Sequence, residues 1–115
     1  MNIKTKPIVY RISAFPYPPM VDGEAIDLPP PWSDIRLCVR QIMPGEPNKP
    51  SGKWQIDHYP TGLSAHSFVG GWSSTRKYAL MRLLARLTAA TPRELRVLRS
   101  ATADEAVRAL EARKP

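Results

Sequence analysis

Up to Val69, apolar side chains recur at every second position in short runs, and beyond Gly70 and Gly71 the spacing changes to three and four. A period of two belongs to a strand with one buried face, and a period near 3.6 to an amphipathic helix. Ile8, Tyr10 and Ile12 alternate with Val9 and Arg11, which predicts a strand over residues 7–13. Ile35, Leu37, Val39 and Met43 share one parity, with Arg36, Cys38, Arg40 and Ile42 on the other, which predicts a second strand over 34–43. Trp54, Ile56 and His58 alternate with Gln55, Asp57 and Tyr59, and Leu63, Ala65, Ser67 and Val69 with Ser64, His66 and Phe68. Pro60, Thr61 and Gly62 lie between these runs and supply a preset φ and a residue tolerant of positive φ. Residues 53–69 therefore read as a hairpin.

In the C-terminal part, Leu80, Leu83, Leu84 and Leu87 form one apolar stripe behind Ser73, Ser74 or Thr75, any of which can cap a helix. Arg82 and Arg86 fall on the opposite side. Thr91, Pro92 and Glu94 combine a capping box with proline at the first helical position, ahead of Leu95 and Leu98. Thr102 and Glu105 repeat the box before Ala103, Ala106, Val107 and Leu110. About three helices are therefore expected over 74–113.

Ten of the thirteen prolines lie in the first 50 residues. Pro16, Pro18, Pro19 and the triplet Pro29, Pro30 and Pro31 disfavour helix interiors and central strands, so residues 14–33 read as an extended arm. Such an arm either serves as a ligand for a proline-recognising groove or packs across its own domain through Phe15, Tyr17 and Trp32. Pro44, Pro47 and Pro50, with Gly45 and Asn48, mark a loop. The expected fold is α+β: a small N-terminal antiparallel sheet of about three to four strands packed against C-terminal helices. Residues 1–115 are expected to form a single domain, with antiparallel strands over 34–70.

The chain is 43% hydrophobic and 23% charged, ordinary values for a globular protein. No apolar run approaches the roughly 20 residues of a bilayer span, and Met1 to Pro7 has no apolar core of a signal peptide. A cytoplasmic protein without membrane contact is expected. The single cysteine, Cys38, excludes an internal disulfide and agrees with a reducing compartment. The formal charge of +7 favours anionic partners, either nucleic acid (DNA or RNA) or an acidic protein surface. Residues 1–50 carry six Lys and Arg against five Asp and Glu, whereas residues 51–115 carry eleven against five. Arg76, Lys77, Arg82, Arg86, Arg93, Arg96 and Arg99 face only Glu94 over their stretch, which reads equally as a solvated arginine-rich face or a binding surface.

Candidate chemistry changes this picture little. His58 and His66 fall on different faces of the hairpin and cannot readily share an ion, so no metal or other cofactor is expected. Adjacent Asp57 and His58 point to opposite faces of a strand, and no nucleophile-elbow motif is present. Asp104 and Glu105 belong in a helix's first turn, and Asp22, Glu24 and Asp27 in the arm. Gly70 and Gly71 match neither a P-loop nor a dinucleotide fingerprint. An enzyme is not expected.

If the helices cover the face of Leu37, Val39, Trp54 and Ile56, the other face shows Arg36, Arg40, Gln55, Tyr59, His66 and Phe68. Arginine neutralises phosphate, and Tyr, His and Phe on an open sheet stack on bases. Ile42 and Phe68 on the same face equally suit a second core layer under the arm. The segment from Gly52, Lys53 and Trp54 through Thr75, Arg76, Lys77 and Ala79 resembles the arm-type DNA-binding domains of phage integrases, which place a three-stranded sheet in the major groove. The basic residues those domains carry on the following strands are absent here. Residues Thr91 to Arg99 resemble the opening helix of LuxR-type helix-turn-helix domains, but the continuation from Ala101 does not. No residue role is transferred from either family.

The expected function is a non-enzymatic binding module that engages nucleic acid through an Arg-rich helical surface and a partly aromatic sheet face. Its candidate residues are Arg76, Lys77, Arg82, Arg86, Arg93 and Arg96 on the helices, and Arg36, Arg40, Tyr59 and His66 on the sheet. The alternative is a small protein-binding adaptor or inhibitor, such as a phage or plasmid accessory factor acting on a host or defence complex.

Overall fold

The computed structural model describes residues 3–13 and 19–100. Five antiparallel strands follow one another in space as they do in sequence: β1 (Lys4–Arg11), β2 (Met20–Asp27), β3 (Leu37–Gln41), β4 (Trp54–His58) and β5 (Leu63–Ser64). Helices α1 (His66–Val69), α2 (Arg76–Thr88) and α3 (Pro92–Leu98) follow. The fold is the α+β arrangement expected from the alternation pattern, with five strands instead of three or four.

The additional strand is β2, inside the stretch that reads as a proline arm. Its own residues, Met20 to Asp27, contain no proline, and β1 pairs with it along its whole length, from Lys4 opposite Asp27 to Arg11 opposite Met20. Pro7 is tolerated in β1 because that strand is outermost in the sheet order, where a missing N–H can face away from the ladder. Phe15 and Tyr17 lie outside the described residues.

The second difference follows Ser64. The hairpin strand expected to reach Val69 stops after two residues and becomes α1. Ala65 and Val69, four apart, are both buried, which is the spacing of one helical turn. Ser64 Oγ accepts from the His66 N–H at 3.0 Å as the chain turns, and Gly70 closes α1 with φ of 93°, a left-handed conformation that favours glycine.

Strand parity divides the sheet as the sequence pattern requires. Leu37, Val39 and Ile56 face the helices together with Ile26, and α2 lays Ala79, Leu80, Leu83 and Leu87 over them. Each fully buried leucine in this layer contributes about 1.5–3 kcal/mol relative to an exposed one. Thr75 caps α2 by accepting from the Tyr78 N–H at 3.1 Å. Thr91 and Glu94 form the expected capping box at α3, their side chains bonding each other's backbone N–H. The third helix expected, over 102–113, lies outside the described residues.

The opposite face is also closed. Tyr10, Ile12 and Cys38 form a smaller apolar cluster there, flanked by Ile8, Val21 and Tyr59. The Ser13 N–H donates to the Gly62 carbonyl at 2.8 Å, and Ser13 Oγ donates to the Thr61 carbonyl at 2.8 Å. These bonds join the end of β1 to the turn between β4 and β5, the other end of the strand order. The sheet must therefore curl, and its concave side encloses the polar residues that alternate along β3 and β4.

Candidate nucleic-acid interface

The charged side chains sort into those held inside the fold and those left outside it. Asp57 on β4 is 1% exposed and is surrounded by donors. Tyr10 Oη donates to its Oδ2 at 2.6 Å, Arg40 Nε to the same oxygen at 2.8 Å, and Gln55 Nε2 to Oδ1. Trp72 Nε1 in turn donates to Gln55 Oε1 at 3.2 Å. The other two guanidinium nitrogens of Arg40 grip both oxygens of Glu46 at 2.8 Å, and the Met43 N–H donates to Glu46 Oε2, which pins the proline-rich loop over the sheet. Gly23 makes this possible, since a Cβ there would stand 3.0 Å from Tyr10 Cε1 and obstruct the ring on its way across β2. Burial pushes the Tyr10 hydroxyl well above its ordinary range, with the Asp57 carboxylate adding to the effect. Burial likewise pushes the Cys38 thiol up to about 12, so it remains an unreactive thiol near neutral pH.

Several of the helical arginines are engaged in comparable ways. Arg76 donates from Nε and Nη2 to the carboxylate of Glu24 and from Nη2 to Thr5 Oγ1, tying α2 to β2 and β1. These bonds hold the Glu24 carboxyl below its usual range. Arg82 caps the end of α1, donating to the carbonyls of Gly70 at 2.7 Å and Trp72 at 3.0 Å. Arg86 pairs with Glu94 and lies 4.5 Å from the Phe68 ring centroid. Arg99 donates to Asp34 Oδ2 at 2.8 Å. Arg40, at 2% exposure, has no surface to offer a phosphate. His66 sits on α1 with its ring centroid 4.4 Å from that of Trp72.

Five of the acidic side chains among the described residues, Glu24, Asp34, Glu46, Asp57 and Glu94, are thus paired with arginine. The side chains of Lys4, Lys6, Arg36, Lys53, Lys77, Arg93 and Arg96 make no ion pair or hydrogen bond with other described residues. Much of the excess positive charge therefore resides on this second set.

Lys4, Lys6, Arg36 and Tyr59 line one depression of about 400 Å³, together with Thr5, Ala25, Ile26, Asp27, Ser33 and Ile35. Strand parity puts Lys4 and Lys6 on the same side of β1 as Ile8 and Tyr10, and Tyr59 packs at 6.5 Å from Tyr10 between ring centroids. Asp27, opposite Lys4 in the ladder, is the one acidic side chain in the lining, so the depression keeps an excess of positive charge. Of the residues singled out from sequence, Arg36 and Tyr59 meet here, Lys77 stands on α2, and Arg93 and Arg96 on α3. Lys4 and Lys6 are absent from that selection because the predicted strand begins at Pro7. Extending the alternation of Ile8, Tyr10 and Ile12 backwards would have found them.

Among the described residues no three His, Cys, Asp or Glu side chains are grouped so as to hold a metal ion, and no helix is long and apolar enough to cross a membrane. Comparison with protein-family models, curated proteins and solved structures finds no match to the chain.

Proposed function

We propose that this protein is a non-enzymatic module that binds nucleic acid, chiefly along the sugar-phosphate backbone, at the depression lined by Lys4, Lys6, Arg36 and Tyr59. The observation that carries this reading is the separation of charge. Five of the seven described carboxylates are paired with arginine, while three unpaired cations share one concavity with an aromatic ring. Lysine and arginine so placed neutralise phosphates and release their counterions, and Tyr59 offers a ring on which a base can stack, worth about 1–3 kcal/mol in single-strand binders. Contacts of this kind position a strand without reading its sequence.

The test is fluorescence anisotropy with labelled single-stranded DNA, RNA and duplex DNA at about 50 mM salt. Saturable binding is expected, and the combined variant Lys4→Ala, Lys6→Ala, Arg36→Ala should weaken it by about tenfold or more, irrespective of sequence. Paired substitution of Lys53 and Lys77, which lie outside the depression, should leave it nearly unchanged. No binding at low salt, or binding indifferent to the triple variant, would overturn the reading.

A second reading, a small adaptor or inhibitor of another protein, draws support from the outward side of α2. There Ile3, Leu80, Met81, Leu84 and Ala85 line a surface trough, and Tyr78 and Met81 are about half exposed. It becomes the better account if nucleic acid fails to bind at low salt.

A further inference from the structure

A groove of about 680 Å³ runs between the β4–β5 turn, α1 and α3, on residues distinct from those of the basic depression. Its volume lies within the range of about 300–1,000 Å³ typical of small-molecule sites. Leu63, Ala65, Phe68, Val97 and Leu98 supply apolar walls. Leu63 is 44% exposed, whereas Ala65, two residues on, is buried. His58 closes the floor: its Nε2 donates to the Leu98 carbonyl at 2.8 Å, and Nδ1 lies 2.8 Å from Thr61 Oγ1. Both ring nitrogens are therefore occupied, and the imidazole is not presented to a ligand.

The charges around the rim do not balance. Glu94 accepts from the Thr91 N–H at 2.9 Å through one oxygen and from Arg86 through the other, so its charge is already matched by Arg86. Arg93 lines the same groove and has no partner among the described residues. Ser64 and Ser67 also line the groove. An apolar trough with one uncompensated guanidinium at its edge is complementary to a molecule with an apolar body and a single carboxylate. A peptide laid down by strand addition is not favoured, because β5 presents an edge of only two residues.

We infer that this groove binds a small apolar carboxylic acid, its hydrocarbon or aromatic body against Leu63, Phe68 and Val97 and its carboxylate on the Arg93 guanidinium. The test is isothermal titration of the full-length protein with decanoate and with indole-3-acetate, set beside decanol and tryptophol as uncharged counterparts. At least one acid should bind saturably at one site per chain, and more tightly than its alcohol. Arg93→Gln should weaken that binding by about ten- to a hundred-fold, the range a charge-assisted hydrogen bond supplies, whereas Arg96→Gln on the same helix should not. Val97→Trp, which fills the trough, should abolish it. Absence of binding by both acids, equal binding of acid and alcohol, or indifference to Arg93→Gln would each overturn the inference.

Discussion

At the scale of single residues, Asp57 organises the concave side of the sheet. Three donors from β1, β3 and β4 converge on a carboxylate that is almost fully enclosed. Asp57→Asn leaves Arg40 paired with Glu46 but takes the charged acceptor from Tyr10 Oη and Arg40 Nε, and hydrogen bonds to a charged group contribute about 1.5–3 kcal/mol. The variant should therefore lose about that much stability, a large part of the roughly 5–15 kcal/mol typical of a domain. Denaturant unfolding measures it, and a loss below about 1 kcal/mol would show that Arg40 and Tyr10 find water instead.

His58 makes a second prediction at this scale. Burial lowers its pKa below the ordinary 6.5, against the opposing pull of the Leu98 and Ser100 backbone. As pH falls below 6.5 the unfolded chain takes up this proton before the folded one does, so His58's contribution is complete above that value and declines beneath it. Unfolding midpoints should fall between pH 7.5 and 5 in the wild type and fall less in His58→Gln. Equal slopes would remove His58 as the cause. Alternation did place Arg40, Gln55 and Asp57 on one face of their strands. It could not show that they are enclosed, because Tyr10 and Glu46 reach them through the curl of the sheet and the fold of a loop.

At the scale of elements, the junction between the end of β1 and the β4–β5 turn depends on Gly62. Its φ is 72°, and a Cβ there would meet the Arg11 carbonyl oxygen at 2.4 Å and Ser13 N at 2.9 Å. Gly62→Ala should cost about 1–3 kcal/mol from backbone strain alone, and more from the displaced Ser13 bonds. Hydrogen exchange at the Ser13 amide would report the loosening, and unchanged protection there would contradict the role assigned to the turn. Pro60, Thr61 and Gly62 made this reversal legible in the sequence, as Thr91, Pro92 and Glu94 did the start of α3. Two elements were hidden. The prolines that flank β2 masked a proline-free strand between them, and the seven residues from Leu63 to Val69 satisfy an alternating pattern although Ala65 and Val69 are one helical turn apart.

At the scale of the whole molecule, composition showed that positive charge is in excess but not where it is accessible. Arg76, Arg82 and Arg86 look like a basic helical face, yet their guanidinium groups reach Glu24, the carbonyls that end α1, and Glu94. A helical wheel shows the side on which an arginine stands, whereas its partners come from β2 and from the neighbouring helices. The unpaired cations that remain include Lys4 and Lys6, at the start of a strand whose first turn of alternation is polar. On the proposed function, Lys4, Lys6 and Arg36 together neutralise phosphates.

The slope of log affinity against log salt tests that claim most directly. Three phosphate contacts on a single strand correspond to a slope of about −2, or a loss of about twentyfold between about 50 and 200 mM salt. The wild type should show at least this slope, and the variant lacking all three cations a slope shallower by about 2. A salt-independent affinity, or a triple variant with the wild-type slope, would contradict it.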